Sequence, residues 1–206
     1  DYAGLEPGGF LLGTDPLQVF SDFSDPDNVR ISGHVLGAND LLLTSYSPDT
    51  PELLQISSAA DAGDTVIFKS PGQSLTIAMG DAGAENRLTI GAIGGAITLP
   101  GSLAITGALG TNIVEQFGDL VIGQGGLSID GQAGTQNDFT LSGAIDVRGG
   151  DVRIDGGLFA DTLVLDGTLR INGGALSIDG SPLLEIPLIG QDQVTLAGLV
   201  ATQGGK

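Results

Sequence analysis

Gly126-Leu127-Ser128-Ile129-Asp130-Gly131, Gly150-Asp151-Val152-Arg153-Ile154-Asp155-Gly156 and Gly174-Ala175-Leu176-Ser177-Ile178-Asp179-Gly180 share one pattern, apolar-x-apolar-Asp-Gly. Leu127, Val152 and Leu176 are 25 and 24 residues apart, and Leu103, in Ser102-Leu103-Ala104-Ile105-Thr106-Gly107, stands 24 residues before Leu127. Self-similarity at a fixed period is the mark of stacked repeats, in which one unit cannot bury its apolar face alone.

Two further series keep the same step. Ile97 with Leu99, Leu120 with Ile122, Ile145 with Val147 and Leu169 with Ile171 advance by 23, 25 and 24 residues. Phe139 with Leu141 and Leu163 with Leu165 are 24 apart, and Leu88 with Ile90 takes the same place two coils earlier, Ile113 and Val114 blurring the pattern between. Each segment alternates apolar with small or polar residues over three to five positions before Gly, Asp or Asn, the signature of a short strand and a turn.

Three short strands in each coil of about 24 residues predict an all-β fold, a right-handed parallel β-helix or solenoid whose strands stack in register. An antiparallel meander gives no reason for three series to hold a common step, and a left-handed β-helix, built on hexapeptides, has about 18 residues per coil. A threefold interlocked fibre is the remaining competitor. Leu41 to Leu43, Val66 to Phe68 and Leu75 to Ile77 read as strands of less regular coils. The expected organisation is an N-terminal cap or partner-contact segment over 1–38, the β-helix over 39–180, and a C-terminal coil, cap or assembly strand over 181–206. The first segment is rich in Pro, Gly, Asp and Phe without period, and the last is apolar from Pro182 to Val200. A solenoid end exposes core and open strand edges, which both segments are placed to cover.

Composition narrows the function. Of the 206 residues, 41% are hydrophobic, enough for a core, but Trp is absent and aromatic residues are 7 Phe and 2 Tyr, so the core is aliphatic. The 35 Gly without a collagen period read as turns. A net charge of -18 repels phosphate backbones and anionic lipids, which argues against nucleic acid as a partner. No long apolar run predicts membrane insertion, and the absence of Cys excludes disulfides and thiolate chemistry and suits a bacterial exported protein. Asp1 reads as the product of signal cleavage or the edge of a fragment.

Candidate sites are few. Asp130, Asp155 and Asp179 should stack at about 4.8 Å per coil, an edge row whose self-repulsion a bound calcium ion would relieve; the simpler reading is that Asp starts a turn and Gly supplies its positive φ. Asp22, Asp25, Asp27 and Asn28 form a second candidate calcium cluster or a solvated turn. Asp146 and Arg170, 24 residues apart, predict an ion pair between adjacent coils. Apart from a possible calcium ion, no cofactor is expected. His34 is the only His and has no partner at a catalytic spacing, and the Gly-rich stretches Gly91-Ala92-Ile93-Gly94-Gly95 and Gly123-Gln124-Gly125-Gly126 open no helix to cradle a phosphate. From Lys69 to residue 180 there is no Tyr, no Trp and no further Lys, which leaves no acid-base pair with a sugar platform and predicts no enzyme.

Repeats such as Gly118-Asp119-Leu120-Val121-Ile122-Gly123 and Gly167-Thr168-Leu169-Arg170-Ile171-Asn172-Gly173 resemble those of bacterial secreted β-helix adhesins, the filamentous-haemagglutinin-like and autotransporter passenger families, over residues 75 to 180. The resemblance implies a rod at the cell surface that adheres to hosts, neighbours or matrix polysaccharide, and transfers no binding residue. The expectation is a non-enzymatic subunit or passenger segment of an extracellular filament, surface layer or adhesin, a homo-oligomer or filament joined through its solenoid ends. The alternative is a phage tail fibre or tailspike module, a discrete trimer; a carbohydrate-active β-helix enzyme comes third.

Overall fold

Inward and outward side chains alternate along the regular strands: buried Leu103 and Ile105 flank half-exposed Ala104, and buried Leu127 and Ile129 flank half-exposed Ser128. The computed structural model describes residues 18–22, 25–33, 39–58, 65–80, 84–91, 95–132, 134–157, 161–179 and 193–203. These form an all-β solenoid of about four turns with a repeat of roughly 25 residues.

The chain enters through β1 (Gln18–Asp22), β2 (Asp25–Ser32), β3 (Asn39–Ser45), β4 (Leu53–Ser58), β5 (Thr65–Lys69) and β6 (Ser74–Ala78). The first regular turn is β7 (Ala84–Ile90), β8 (Ile97–Leu99) and β9 (Ser102–Thr106), and the second is β10 (Gly110–Gln116), β11 (Leu120–Ile122) and β12 (Leu127–Asp130). The third comprises β13 (Gln136–Leu141), β14 (Ala144–Val147) and β15 (Val152–Asp155), the fourth β16 (Asp161–Leu165), β17 (Thr168–Asn172) and β18 (Leu176–Asp179). β19 (Gln193–Leu196) and β20 (Leu199–Gln203) begin a fifth.

Three sheets result: seven strands in the order β1-β2-β6-β9-β12-β15-β18, eight in the order β19-β16-β13-β10-β7-β3-β4-β5, and five in the order β20-β17-β14-β11-β8. The stacked series are those of the sequence. Leu103, Leu127, Val152 and Leu176 are register partners in the seven-stranded sheet, and Ile97, Leu120, Ile145 and Leu169 in the five-stranded one. In the eight-stranded sheet Leu88, Val114, Phe139 and Leu163 stack, so Leu88 does lie two turns before Phe139. The blurring has a cause: Ile113 points outward, and Gln116 takes the inward place that Ile90 and Leu141 hold in the neighbouring turns.

The N-terminal end departs from the repeat. Val66 to Phe68 is a strand, β5, but not of a coil, because β3, β4 and β5 are antiparallel neighbours that extend the eight-stranded sheet. Alternation alone does not distinguish a hairpin from a coil, since both use period two. β1 lies antiparallel to β2, while β2 and β6 are already parallel members of the seven-stranded sheet. The core is one continuous column of Leu, Ile and Val with Phe68, Met79 and Phe139. Each fully buried aliphatic side chain contributes about 1.5–3 kcal/mol relative to exposure.

Candidate functional site

The outer face of the seven-stranded sheet carries the aspartate row. Asp130 and Asp155 are register partners, as are Asp155 and Asp179. Each of the first two caps its own turn: Asp130 Oδ1 accepts the Gln132 N–H at 2.8 Å and Asp155 Oδ1 the Gly157 N–H at 3.1 Å. The other Asp155 oxygen accepts from Arg153 Nη2 at 2.7 Å. That hydrogen bond, then the charge of Asp155, with Asp130 and Asp179 adding to it, holds the Arg153 guanidinium above its ordinary pKa. An arginine thus sits where the sequence suggested a cation. Among the described residues no group of three or more His, Cys, Asp or Glu is placed to hold a metal ion.

At the two described Asp-Gly pairs, 130/131 and 155/156, the glycine serves a purpose other than the expected positive φ. Gly131 and Gly156 are not among the residues with positive φ. What each lacks room for is a side chain: a Cβ on Gly131 would stand 2.5 Å from Asn137 Cγ, and one on Gly156 2.4 Å from Asp161 Oδ2. The glycines clear space for a buried polar column that sequence reasoning missed.

That column runs through the eight-stranded sheet. Asn86, Asn112, Asn137 and Asp161 are buried and occupy one register position on β7, β10, β13 and β16. Asn112 Nδ2 donates to Asn137 Oδ1 at 2.8 Å, and Asn137 donates to Asp161 Oδ1 through both its side chain (2.9 Å) and its backbone (3.0 Å). Asn112 also closes its turn, accepting from the Ala108 N–H and donating to the Ala108 carbonyl, each at 2.9 Å. Amides carry both donor and acceptor, so a stack of them satisfies itself from turn to turn. The steps of 26, 25 and 24 residues between these four positions stand in the sequence, two residues ahead of each inward Leu88, Val114, Phe139 and Leu163. Gln116 plays a related part at the next corner, where its Oε1 accepts the Gly143 N–H at 3.1 Å and its Nε2 donates to the Gly118 carbonyl.

On the five-stranded sheet Asp146 and Arg170 are register partners, as the spacing predicts. The ion pair goes elsewhere: Asp146 Oδ2 accepts from Arg148 Nε at 3.1 Å and Oδ1 from Asn172 Nδ2 at 3.2 Å. Arg148 lies two residues along, on the same side of the chain, and reaches the carboxylate first, leaving exposed Arg170 in solvent. On the eight-stranded sheet Arg87 donates to Glu115 Oε2 at 2.7 Å, with Glu85 at 3.7 Å, and the Glu115 hydrogen bond is the main cause of its raised pKa.

The remaining candidates are dispersed. β1 and β2 bring positions 22 and 25 opposite one another, but the side chains of Asp22 and Asp25 lie outside the described residues. Asp27 is exposed, and Asn28 Oδ1 accepts the Ser74 hydroxyl. His34 and residues 180–192 also lie outside the described residues. A surface recess of about 390 Å³ beside Thr106, Leu109 and Gln132 offers one ionisable group, Arg30.

The two ends of the rod complete the inventory. At the N-terminal end Leu54, Ile56 and Phe68 are buried. At the C-terminal end Val194 and Leu196 stack on Leu163 and Leu165, at core positions, yet are 47% and 53% exposed, and Leu199 is exposed beside them. No helix among the described residues is long and apolar enough to cross a membrane. The class this geometry defines is a parallel β-solenoid with an asymmetric pair of ends. No family model, curated protein or solved structure matches the chain.

Proposed function

We propose that this protein is a non-enzymatic structural segment of an extracellular filament, surface layer or adhesin, self-associating through its solenoid ends. The observation that carries the reading is the stacked column itself, whose last described strand in the eight-stranded sheet, β19, holds Val194 and Leu196 at core positions with about half of each still exposed. A solenoid adds turns by pairing strand edges, so an uncovered end favours another β-structure, with backbone hydrogen bonds and apolar burial gained together. The net charge of -18 supports an extracellular rod that is soluble and resists nonspecific binding to anionic surfaces. The outer faces support the non-enzymatic reading. Among the described residues several outward ionic side chains bind turns or one another, as in the Arg153–Asp155 and Arg87–Glu115 pairs. A polysaccharide of the cell surface or matrix is the partner class this reading expects.

Electron microscopy of the purified protein, with and without a calcium chelator, tests it. Regular particles longer than one solenoid are expected. Isolated single rods at high concentration, in calcium as in chelator, overturn the self-association. Turnover of any member of a panel of acidic polysaccharides, abolished by substituting an outward Asp or Arg, overturns the non-enzymatic reading.

A further inference from the structure

We propose that the recess beside Gln132 binds one uronic acid residue of a glycan, with Arg30 on its carboxylate and Gln132, Ser32 and Thr106 on its hydroxyls. The site builds on the polysaccharide partner proposed above and gives it a sugar class and a place on the rod.

The recess, about 390 Å³, lies on the outer side of the seven-stranded sheet, where its early strands turn toward the eight-stranded one. Small-molecule sites span roughly 300–1,000 Å³, so it has room for a sugar. Ser32, Ala78 and Thr106 are register partners on β2, β6 and β9, and three small side chains in a row leave the space. Leu109, 53% exposed, stands beside them as an apolar wall. On the next strand, β12, the same register position is Asp130, where the aspartate row begins. That row starts three strands from β2, about 14 Å away at 4.8 Å per strand. None of the described lining residues is acidic.

Two observations set this recess apart from the rest of the surface. First, its polar side chains are unspent. Arg87, Arg148 and Arg153 each bind a carboxylate, whereas among the described residues the side chains of Arg30, Ser32, Thr106 and Gln132 have no hydrogen-bond or ion-pair partner. Second, Gln132 is the only non-glycine among the described residues with a positive φ, at 51°. The equivalent place one turn on is Gly157, with a φ of 100°. The two turns are built alike, each N–H donating to the aspartate two residues earlier. Glycine adopts this conformation freely and glutamine does not, so Gln132 costs stability that a glycine would spare. Backbone strain of this kind gathers where a side chain serves a ligand.

The chemistry of the lining selects that ligand. A guanidinium with no carboxylate of its own is matched by one from outside, which it holds through two parallel N–H···O bonds. An amide and two hydroxyls offer both donors and acceptors to sugar hydroxyls, and Leu109 suits the apolar face of a sugar ring. The net charge of -18 repels a polymer that is acidic at every residue. The glycan that fits therefore carries single uronates among neutral sugars.

An NMR titration of the backbone amides tests the site. The probe is a trisaccharide of one glucuronate between two glucoses, and the control is its carboxyl-reduced, neutral counterpart. Saturable shifts are expected at Gly33, Gly80, Gly107 and Gln132, with a Kd of about 1 mM or tighter and binding of the neutral sugar weaker by about tenfold or more. Arg30→Gln should weaken binding by about tenfold, and Arg30→Lys, which keeps the charge without the fork, by about threefold; the second variant decides if the first fails to fold. Arg170→Gln, which removes an exposed arginine from the five-stranded sheet, should change it by less than about twofold. Gln132→Gly should weaken binding by about threefold while raising the denaturation midpoint, a combination that a purely structural residue does not give. Equal affinity for the two trisaccharides overturns the acid, and equal losses in Arg30→Gln and Arg170→Gln overturn the recess. Unchanged affinity in Gln132→Gly overturns the site as drawn. Shifts confined to another face overturn the inference and leave the polysaccharide partner standing, while no shift with either sugar overturns both. Cleavage of the trisaccharide in the same tube overturns the non-enzymatic reading instead.

Discussion

The two ends of this solenoid are made of the same residue types and behave differently. At the N-terminal end Phe68 sits in an edge strand at 1% exposure, whereas at the C-terminal end Leu196, also in an edge strand, is 53% exposed. The difference is one of strand direction rather than hydrophobicity. β4 and β5 fold back antiparallel and continue the eight-stranded sheet past β3, whereas no strand among the described residues lies beyond β19. Stability should therefore be graded along the rod, and each of the following measurements presses on that gradient.

Phe68→Ala should cost about 3–5 kcal/mol in chemical denaturation. Leu196→Ala should cost less than about 1 kcal/mol in the monomer, since half the side chain is already in water. Equal losses at the two positions would mean that the C-terminal end is as well covered as the other. Next in size is the ladder that connects them. Asn137→Ala removes the partner of both Asn112 and Asp161, and should destabilise by about 1–3 kcal/mol because buried polar groups are left without their mates. Hydrogen exchange should speed first in β16 and β19, beyond the broken rung. Ser70→Ala deletes the hydroxyl that covers β8, at a cost of about 1 kcal/mol, with faster exchange confined to β8 and β9. The smallest effect belongs to the surface. Arg87→Gln should lose about 0.2–1 kcal/mol at low salt and less at high salt, because its partners Glu115 and Glu85 are partly solvated.

Much of this was open to a reader of the sequence. Three apolar series with one step can be satisfied together by stacked coils, and the register of Leu103, Leu127, Val152 and Leu176 follows. The Asn86, Asn112, Asn137 and Asp161 series was equally periodic, but Asn and Asp read first as turn residues. Only the burial of the position distinguishes a ladder rung from a loop. The Asp-Gly pairs were recognised as a repeat, yet half of their reason was hidden, since the Gly serves a neighbour on another strand and not its own backbone.

The sequence by itself determined the solenoid, its period and the inward residues of the regular turns, because a period of two nested in a period of about 24 leaves one economical way to bury every apolar position. Only the tertiary structure decided that β4 and β5 turn back, that Arg148 rather than Arg170 reaches Asp146, and that the two ends differ. Those outcomes depend on strand direction and on which side chain arrives first, and alternation along the chain is blind to both.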